Sequence, residues 1–214
     1  MENKLREKRL RMLVHGVNLD RKKQSKKIDI LCNDFIDTHR NFIKNLDVLC
    51  FAANFYQSII GQKNIDELFE ATAASLRDRI KDAEVAFFLR HNESFDFFSS
   101  KHPKKEDAKE QSFESFFTNE IVINICKNNR LCSLEQMMTM GLQLMPSMLN
   151  KLSAYTVPLI NCGTSIGFIL IYRISEDKIS PDELDNISSV STGLARAMVA
   201  CQSVHSTSDT YGMA

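Results

Sequence analysis

The sequence predicts an α+β fold, in which an antiparallel sheet is flanked by helices and preceded by a long N-terminal helix. Two pairs of strand-like segments, each joined by a short polar turn, predict two β-hairpins. Segments with helical apolar spacing lie before, between and after these pairs, so helices would cover the sheet. A long run of apolar steps near the N-terminus predicts the additional helix.

This long helix is predicted from about Lys26 to Gly61, a length of roughly 50 Å. Its seam consists of side chains spaced three and four residues apart: Ile28, Leu31, Phe35, Thr38, Phe42, Asn45, Leu49, Ala52, Tyr56 and Ile59. A seam held over about four heptads is what a two-stranded coiled coil requires, so we expect a homodimer. A buried Asn45 would stabilise little, but paired asparagines fix the register of a parallel coil. The alternative is a long helix packed on its own domain.

The next segments predict a helix followed by the first hairpin. Asn64 or Asp66 would cap this helix, which carries apolar residues as far as Ile80 and would cover the sheet. Aromatic and β-branched residues are dense in Glu84 to Arg90, and Phe95 to Ser99 reads as the returning strand.

The middle of the chain is predicted to be a loop followed by two helices. Residues 101–110 are highly charged and contain a proline, which indicates an exposed loop. Gln111 to Lys127 has helical spacing, although the run Ile121 to Ile125 is also compatible with a strand. A capping-box pattern at Ser133 opens a short methionine-rich helix, Leu134 to about Leu144.

The C-terminal third contains the clearest strands, Ala154 to Asn161 and Ser165 to Ile174, which a turn at 162–164 joins as a hairpin. Pro158 has no N–H to donate, so we expect an edge position or a bulge there. A helix capped by Ser180 is then predicted from Pro181 to about Val204.

Charge and cysteine content restrict the classes of function. Lys plus Arg and Asp plus Glu both total 27, so nothing global attracts nucleic acid or an anionic membrane. The first 27 residues are locally basic, which suits either a solvated end or a contact with phosphates or acidic lipid. No apolar run approaches the roughly 20 residues that span a bilayer, and no signal peptide is evident, so we expect a cytoplasmic protein. The six cysteines form no C-x-x-C pair and are expected to be reduced.

Two C-terminal stretches carry a resemblance to a known family. The sequence V-P-L-I-N-C-G-T-S-I-G-F-I-L-I-Y-R is followed after a short gap by I-S-P-D-E-L-D-N-I-S-S-V-S-T-G-L-A-R-A-M. A strand, a glycine-bearing strand and a capped helix in this order resemble the closing pattern of the GAF domain, a PAS-like module that senses small molecules. The resemblance covers about residues 54–204.

The resemblance implies a division of the chain and a way to dimerise. Residues 1–53 would form a basic segment and dimerisation helix, 54–204 the GAF-like domain, and 205–214 a disordered tail. GAF domains often dimerise through a parallel bundle of their first and last helices. The expected interface residues are therefore Ile28, Leu31, Phe35, Phe42, Asn45, Leu49, Tyr56, Ile59, Leu184 and Leu194.

A ligand in such a domain would lie between the sheet and the segment from about Phe113 to Leu152. The candidate lining residues are Phe87, Phe97, Phe116, Met137, Met140, Leu144, Met145, Tyr155 and Phe168. A methionine-rich lid can repack around a ligand, but methionines at helical spacing also simply fill a core.

No catalytic or metal-binding motif is recognisable, and no cofactor is indicated. The histidines lack ligand spacing, and the N-K-x-F-x-D-E pattern of cyclic-nucleotide-binding GAF domains is absent. Cys126 and Cys132 flank Lys127 and Arg130, so a redox pair is an alternative to two ordinary buried thiols.

The sequence therefore predicts a non-enzymatic sensory or regulatory protein that dimerises through a helical bundle and binds a small molecule or a signalling partner. A ligand-free GAF-like scaffold acting through protein contacts is the alternative, and a thiol-dependent enzyme is a third. The sequence does not name the ligand, the output partner or the role of the basic N-terminus.

Overall fold

The computed structural model of the chain describes residues 2–62, 64–91, 94–100, 113–149, 151–175 and 177–211. The chain divides into two compact units, residues 1–49 and residues 50–214. The helices are α1 (Glu2–Ile59), α2 (Ile65–Arg79), α3 (Asn119–Asn128), α4 (Leu134–Thr139), α5 (Pro146–Leu149) and α6 (Pro181–Tyr211). The strands are β1 (Glu84–His91), β2 (Ser94–Ser100), β3 (Cys132–Ser133), β4 (Leu152–Asn161) and β5 (Thr164–Ile174).

The strands form one antiparallel sheet in the order β2-β1-β5-β4-β3, which confirms the predicted α+β fold. The β4–β5 turn is built from Cys162 and Gly163, both at positive φ (50° and 82°), as a twisted two-residue hairpin requires. Strand β3 pairs only with Tyr155 and Thr156 of β4. Pro158 lies beyond this pairing, next to a register shift, so its missing N–H breaks no ladder bond there.

Both faces of the sheet are buried, and successive residues of β5 alternate between two separate cores. Ile169 and Ile171 belong to a core formed with α2, α6 and the last turns of α1. Phe168 and Leu170 belong to a second core, formed with α3 and α4. Because a sheet covered on both faces needs apolar residues at every position, the strand reads as a continuous apolar run.

Side-chain caps fix the starts of the helices where the sequence predicted them. Asn64 accepts a hydrogen bond from the N–H of Asp66 at the start of α2. Ser133 and Gln136 form the predicted capping box of α4, with each side chain accepting from the other residue's N–H. At α6, Ser180 and Glu183 exchange the same pair of bonds, and Pro181 occupies the first turn.

The segment predicted as one helix from 111 to 127 is broken in the structure. A 3-10 turn covers Phe113–Phe116, and α3 begins only after Thr118, whose backbone is extended and whose hydroxyl caps the N–H of Ile121. The run Ile121 to Ile125 is therefore helical, and the strand alternative for it is wrong.

Two helices are longer than predicted. Helix α1 begins at Glu2, because the basic segment consists mainly of good helix formers. Helix α6 continues past the predicted end at Val204 to Tyr211, so part of the predicted disordered tail is helical. The predicted loop at 101–110 and the last three residues lie outside the described residues.

Candidate functional site

Helix α3 covers the second core and borders two clefts on the same face of the sheet. Its buried side chains are Ile121, Val122 and Ile125, which pack in the core with Phe168. Asn129 ends the helix in the left-handed conformation, at φ 51° and ψ 32°. Ile123, Cys126 and Lys127 of α3 line one of these clefts, and Asn119 and Val122 line the other.

The larger cleft has a volume of about 470 Å³ and lies at the C-terminal end of α3. It is lined by Arg90, Phe95, Ile123, Cys126, Lys127, Asn129, Gly163, Thr164 and Ser165. Arg90 and Lys127 are basic, and none of the lining residues described is acidic. The cleft is therefore electrostatically suited to a molecule that carries an anionic group.

Cys126 lies in this larger cleft but is not an activated thiol. Burial raises the pKa of Cys126 above its ordinary value of 9.0, and a hydrogen bond with Ser165 and the charge of Arg90 offset this only in part. Cys132 is fully buried, where its sulfur accepts a hydrogen bond from Asn128 (3.0 Å) and donates one to the carbonyl of Arg130 (3.3 Å). The environment of Cys126 therefore does not favour the thiolate that redox chemistry requires.

The second cleft has a volume of about 320 Å³ and lies at the N-terminal end of α3. It is lined by Phe88, Phe95, Phe97, Glu114, Ser115, Phe117, Asn119 and Val122. The phenylalanine rings contact one another, with centroids 5.1 Å apart for Phe88 and Phe97 and 5.2 Å apart for Phe88 and Phe117. This second cleft is thus aromatic, with one buried carboxyl group in its wall.

The predicted methionine-rich lid lies over the second core rather than over either cleft. Met137 is completely buried, and Met140, Leu144 and Phe116 pack around the same core. Met145 is exposed. The methionines therefore fill space in the core, and of the predicted lining residues Phe97 is the one that lines a cleft described above.

Two of the predicted ligand-binding residues lie on the other face of the sheet. Phe87 and Tyr155 belong to the core beneath α2 and α6, whereas Phe88 and Phe168 belong to the α3 side. The prediction of a shared pocket was wrong for Phe87 and Tyr155, because adjacent residues of a strand point to opposite faces.

The predicted dimerisation seam is exposed along the part of α1 that belongs to the first unit. Phe35 is 71% exposed, and Ile28, Leu31, Phe42, Asn45 and Leu49 are exposed as well. The same seven-residue register continues upstream, where Leu10, Val14 and Val17 are also exposed. Arg21 and Gln24 interrupt it between the two stretches.

The other predicted interface residues are buried in the chain's own core. Ile59, Leu184 and Leu194 pack beside the sheet in the first core, and Tyr56 is partly buried against the same core. These three side chains are therefore unavailable to a second copy, because their helical stripe faces the sheet of the same chain.

The charged residues of the two clefts were missed by sequence reasoning. Arg90 is the last predicted residue of a strand, and Lys127 and Glu114 lie within helical patterns, where charges usually face water. The signal that was present is the position of Glu114 among three phenylalanines, Phe113, Phe116 and Phe117.

Neither a metal centre nor a membrane span is found in the described part of the chain. No cluster of three or more acidic, histidine or cysteine side chains is arranged to bind a metal ion in the described residues, which are 2–62, 64–91, 94–100, 113–149, 151–175 and 177–211. Over the same residues, no helix combines the length and the apolarity that crossing a membrane requires.

Solved structures with the same fold include GAF domains. The GAF domain of a phosphoenolpyruvate-protein phosphotransferase from Coxiella burnetii is 12% identical, with a TM-score of 0.55, over 75% of this chain and 98% of that domain. The corresponding domain from Acinetobacter is 12% identical, with a TM-score of 0.54, over 74% of this chain and 97% of that domain. The fRMsr of Staphylococcus aureus, solved in complex with substrate, is 10% identical, with a TM-score of 0.50, over 71% of this chain and 95% of that one.

A scan against protein-family models gives no match, and a search of curated proteins gives no significant match. The structural likeness establishes the GAF fold, as the sequence predicted, together with the long N-terminal helix.

Proposed function

We propose that this chain, which has the GAF fold, is a non-enzymatic sensory or regulatory protein that works as a parallel homodimer. Two copies would pair along the seam of α1, and each domain would bind a small molecule in the clefts beside α3. A change in the domain would then reach a signalling partner through the helices. The GAF fold, which the solved structures named above share, supports a sensory or regulatory role.

The exposed seam of α1 is the observation that carries this proposal. Five large apolar side chains, Ile28, Leu31, Phe35, Phe42 and Leu49, are each more than half exposed in the single chain and follow one heptad register. Burying them against the same side chains of a second copy removes this surface from water, at about 25 cal/mol per Å². A parallel partner also pairs Asn45 with Asn45, which satisfies both amides.

The end of α1 offers a route for a signal. Phe55 and Ile59 lie in the same core as Ile169 and Ile171 of β5. The opposite face of β5 supplies Phe168, which packs in the core that borders the two clefts. A ligand that shifts this central strand would therefore displace the last turns of α1.

Two further features support the non-enzymatic and cytoplasmic parts of the proposal. The thiol of Cys126 is held in its protonated form by burial. All six cysteines are free, as is usual in a reducing compartment.

The experiment is sedimentation velocity on the full chain, comparing Phe35→Glu with Asn33→Glu. Each variant adds one negative charge to α1, but position 35 lies on the seam and position 33 on the opposite side of the helix. We expect a dimer for the wild type and for Asn33→Glu, and a monomer for Phe35→Glu. A monomeric wild type, or a Phe35→Glu variant that stays dimeric, would contradict the proposal.

A ligand-free scaffold is the second candidate function, and the complete burial of Met137 favours it. A core already filled by the methionine-rich segment leaves no cavity for a ligand at that place. A thermal-shift panel with cyclic nucleotides, haem and small metabolites separates the two functions. A bound ligand raises Tm by mass action, whereas a scaffold without a site shows no response.

A further inference from the structure

We propose that the aromatic second cleft, at the N-terminal end of α3, binds a small primary ammonium ion, with Glu114 as its counter-charge. This inference rests on the proposed function, because it names the class of ligand that the α3 face of the domain would sense. It does not depend on the dimer or on the basic larger cleft.

Glu114 is a buried carboxyl group that is only partly satisfied. The side chain is 8% exposed, in the 3-10 turn that precedes α3. Tyr172 donates a hydrogen bond of 2.8 Å to Oε1, and Ser99 donates one of 3.4 Å to the same oxygen. Oε2 is buried, and no hydrogen-bond partner for it is found in the described part of the chain.

The charge of Glu114 also affects its neighbour. Burial raises the pKa of Tyr172, and the negative charge of Glu114 and the hydrogen bond between the two groups raise it further. Tyr172 therefore remains a donor to Oε1 throughout the physiological range. The two donors found among the described residues are neutral hydroxyl groups, which do not neutralise a carboxylate.

A buried carboxylate without a counter-charge is unfavourable, and so is a buried acceptor without a donor. A primary ammonium ion corrects both at once, because it carries a positive charge and three N–H donors. A quaternary ammonium ion supplies the charge but no donor for Oε2. Because Oε2 of Glu114 needs a hydrogen-bond donor, the site should bind a primary ammonium ion more tightly than a quaternary one.

The phenylalanine rings supply the rest of the site. Phe88, Phe95, Phe97 and Phe117 line the cleft, and the negative faces of aromatic rings attract cations within about 6 Å of the ring centroid. Phe97 is 47% exposed, so its ring can be reached from solvent. None of the described lining residues is basic, whereas the larger cleft contains Arg90 and Lys127.

The volume of the second cleft limits the size of the ligand. About 320 Å³ lies at the lower end of the range for small-molecule sites, roughly 300–1,000 Å³. A short alkylammonium ion is small enough for this volume, and the proposed pose places its chain against the rings and its head at Glu114. Larger cofactors such as haem do not.

The test is calorimetric titration of the full-length wild-type protein with n-butylammonium chloride, at constant ionic strength. Tetramethylammonium, n-butanol and sodium chloride are the comparison solutes. The same titration is repeated with Glu114→Gln, which removes the charge and keeps the shape, and with Phe97→Leu, which removes one ring. Lys127→Gln is the matched control, because it changes one charge in the other cleft.

We expect n-butylammonium to bind at least about tenfold more tightly than tetramethylammonium or n-butanol. Glu114→Gln should lose about tenfold or more in affinity, Phe97→Leu should lose severalfold, and Lys127→Gln should match the wild type. The absence of n-butylammonium binding, equal binding of n-butanol, or equal affinity in Glu114→Gln would overturn the inference. If Glu114→Gln does not fold, an unchanged affinity in Phe97→Leu overturns it instead.

Failure of this inference is distinguishable from failure of the proposed function. A dimer that binds another class of small molecule in these clefts would reject the ammonium site and retain the sensory role. A monomer that binds n-butylammonium would do the reverse.

Discussion

The hydroxyl group of Tyr172, on the central strand β5, donates a hydrogen bond of 2.8 Å to Glu114, in the 3-10 turn before α3. Both residues are buried, and 58 positions separate them in the sequence. This bond ties the wall of the aromatic cleft to the centre of the sheet.

Replacing Tyr172 with Phe should therefore destabilise the domain. The variant leaves a buried carboxylate oxygen with only the longer bond from Ser99, and we expect the free energy of unfolding to fall by about 1–3 kcal/mol. Urea denaturation at neutral pH measures the change. Tyr155→Phe, on the opposite face, is the control and should change stability by no more than about 0.5 kcal/mol. Equal stability of Tyr172→Phe and the wild type would show that the bond contributes nothing.

Gly193 of α6 should not tolerate alanine. Glycine to alanine within a helix normally stabilises by up to about 1 kcal/mol, but a Cβ at Gly193 would overlap the ring of Tyr56. We expect Gly193→Ala to lower the free energy of unfolding by about 1–3 kcal/mol. Gly16→Ala, where nothing lies within 4 Å, serves as the control and should not be destabilising.

A second variant shows whether the overlap is the cause. Adding Tyr56→Ala to Gly193→Ala removes the ring, so the two changes should be strongly non-additive. Simple additivity of the two losses in urea denaturation would mean that Gly193 is needed for another reason.

Cys126 should react slowly with an alkylating reagent. Burial raises the pKa of its thiol, so the nucleophilic thiolate is scarcer at neutral pH than for an ordinary cysteine. Peptide mass spectrometry after brief iodoacetamide treatment should show the exposed Cys162 labelled severalfold faster than Cys126. Faster labelling of Cys126 would instead favour the thiol-dependent enzyme.

The sequence was sufficient to predict the helices and turns whose ends are fixed by neighbouring residues. Asn64, Ser133 and Ser180 cap helices by bonds between neighbouring residues, and the Cys162–Gly163 turn is fixed by its own backbone angles. These features depend on residues a few positions apart, so a linear pattern contains them. The order of these elements was also enough to predict the GAF fold.

The face on which a side chain lies was harder to predict. The strand Val85 to Leu89 is apolar at every position, because helices cover both sides of the sheet. No contrast between polar and apolar positions distinguishes Phe87 from Phe88, and the structure places Phe87 on the face opposite the two clefts.

The spacing of an apolar stripe on a helix likewise does not tell which surface the stripe packs against. The spacing of Leu184 and Leu194 is the same whether they face their own sheet or a second copy, and the structure places them against the sheet. The seam from Ile28 to Leu49 has the same kind of spacing but is exposed. The neighbouring phenylalanines were a local signal for Glu114, but its hydrogen bond with Tyr172, 58 positions away, lies outside any local pattern.

Disulfide cross-linking of the seam tests most directly whether two copies pair in parallel through α1. In a Cys32→Ser, Cys50→Ser background, Leu31→Cys places one thiol near the N-terminal end of the seam, and Asn33→Cys places one on the opposite side of the helix. In a parallel pair the two Leu31 positions face each other, whereas an antiparallel pair holds them far apart.

The proposal predicts that mild oxidation converts most of the Leu31→Cys protein to a covalent dimer of about twice 24.4 kDa, while Asn33→Cys stays largely monomeric under the same denaturing conditions. Failure of Leu31→Cys to cross-link, or equal cross-linking at both positions, would contradict the parallel dimer.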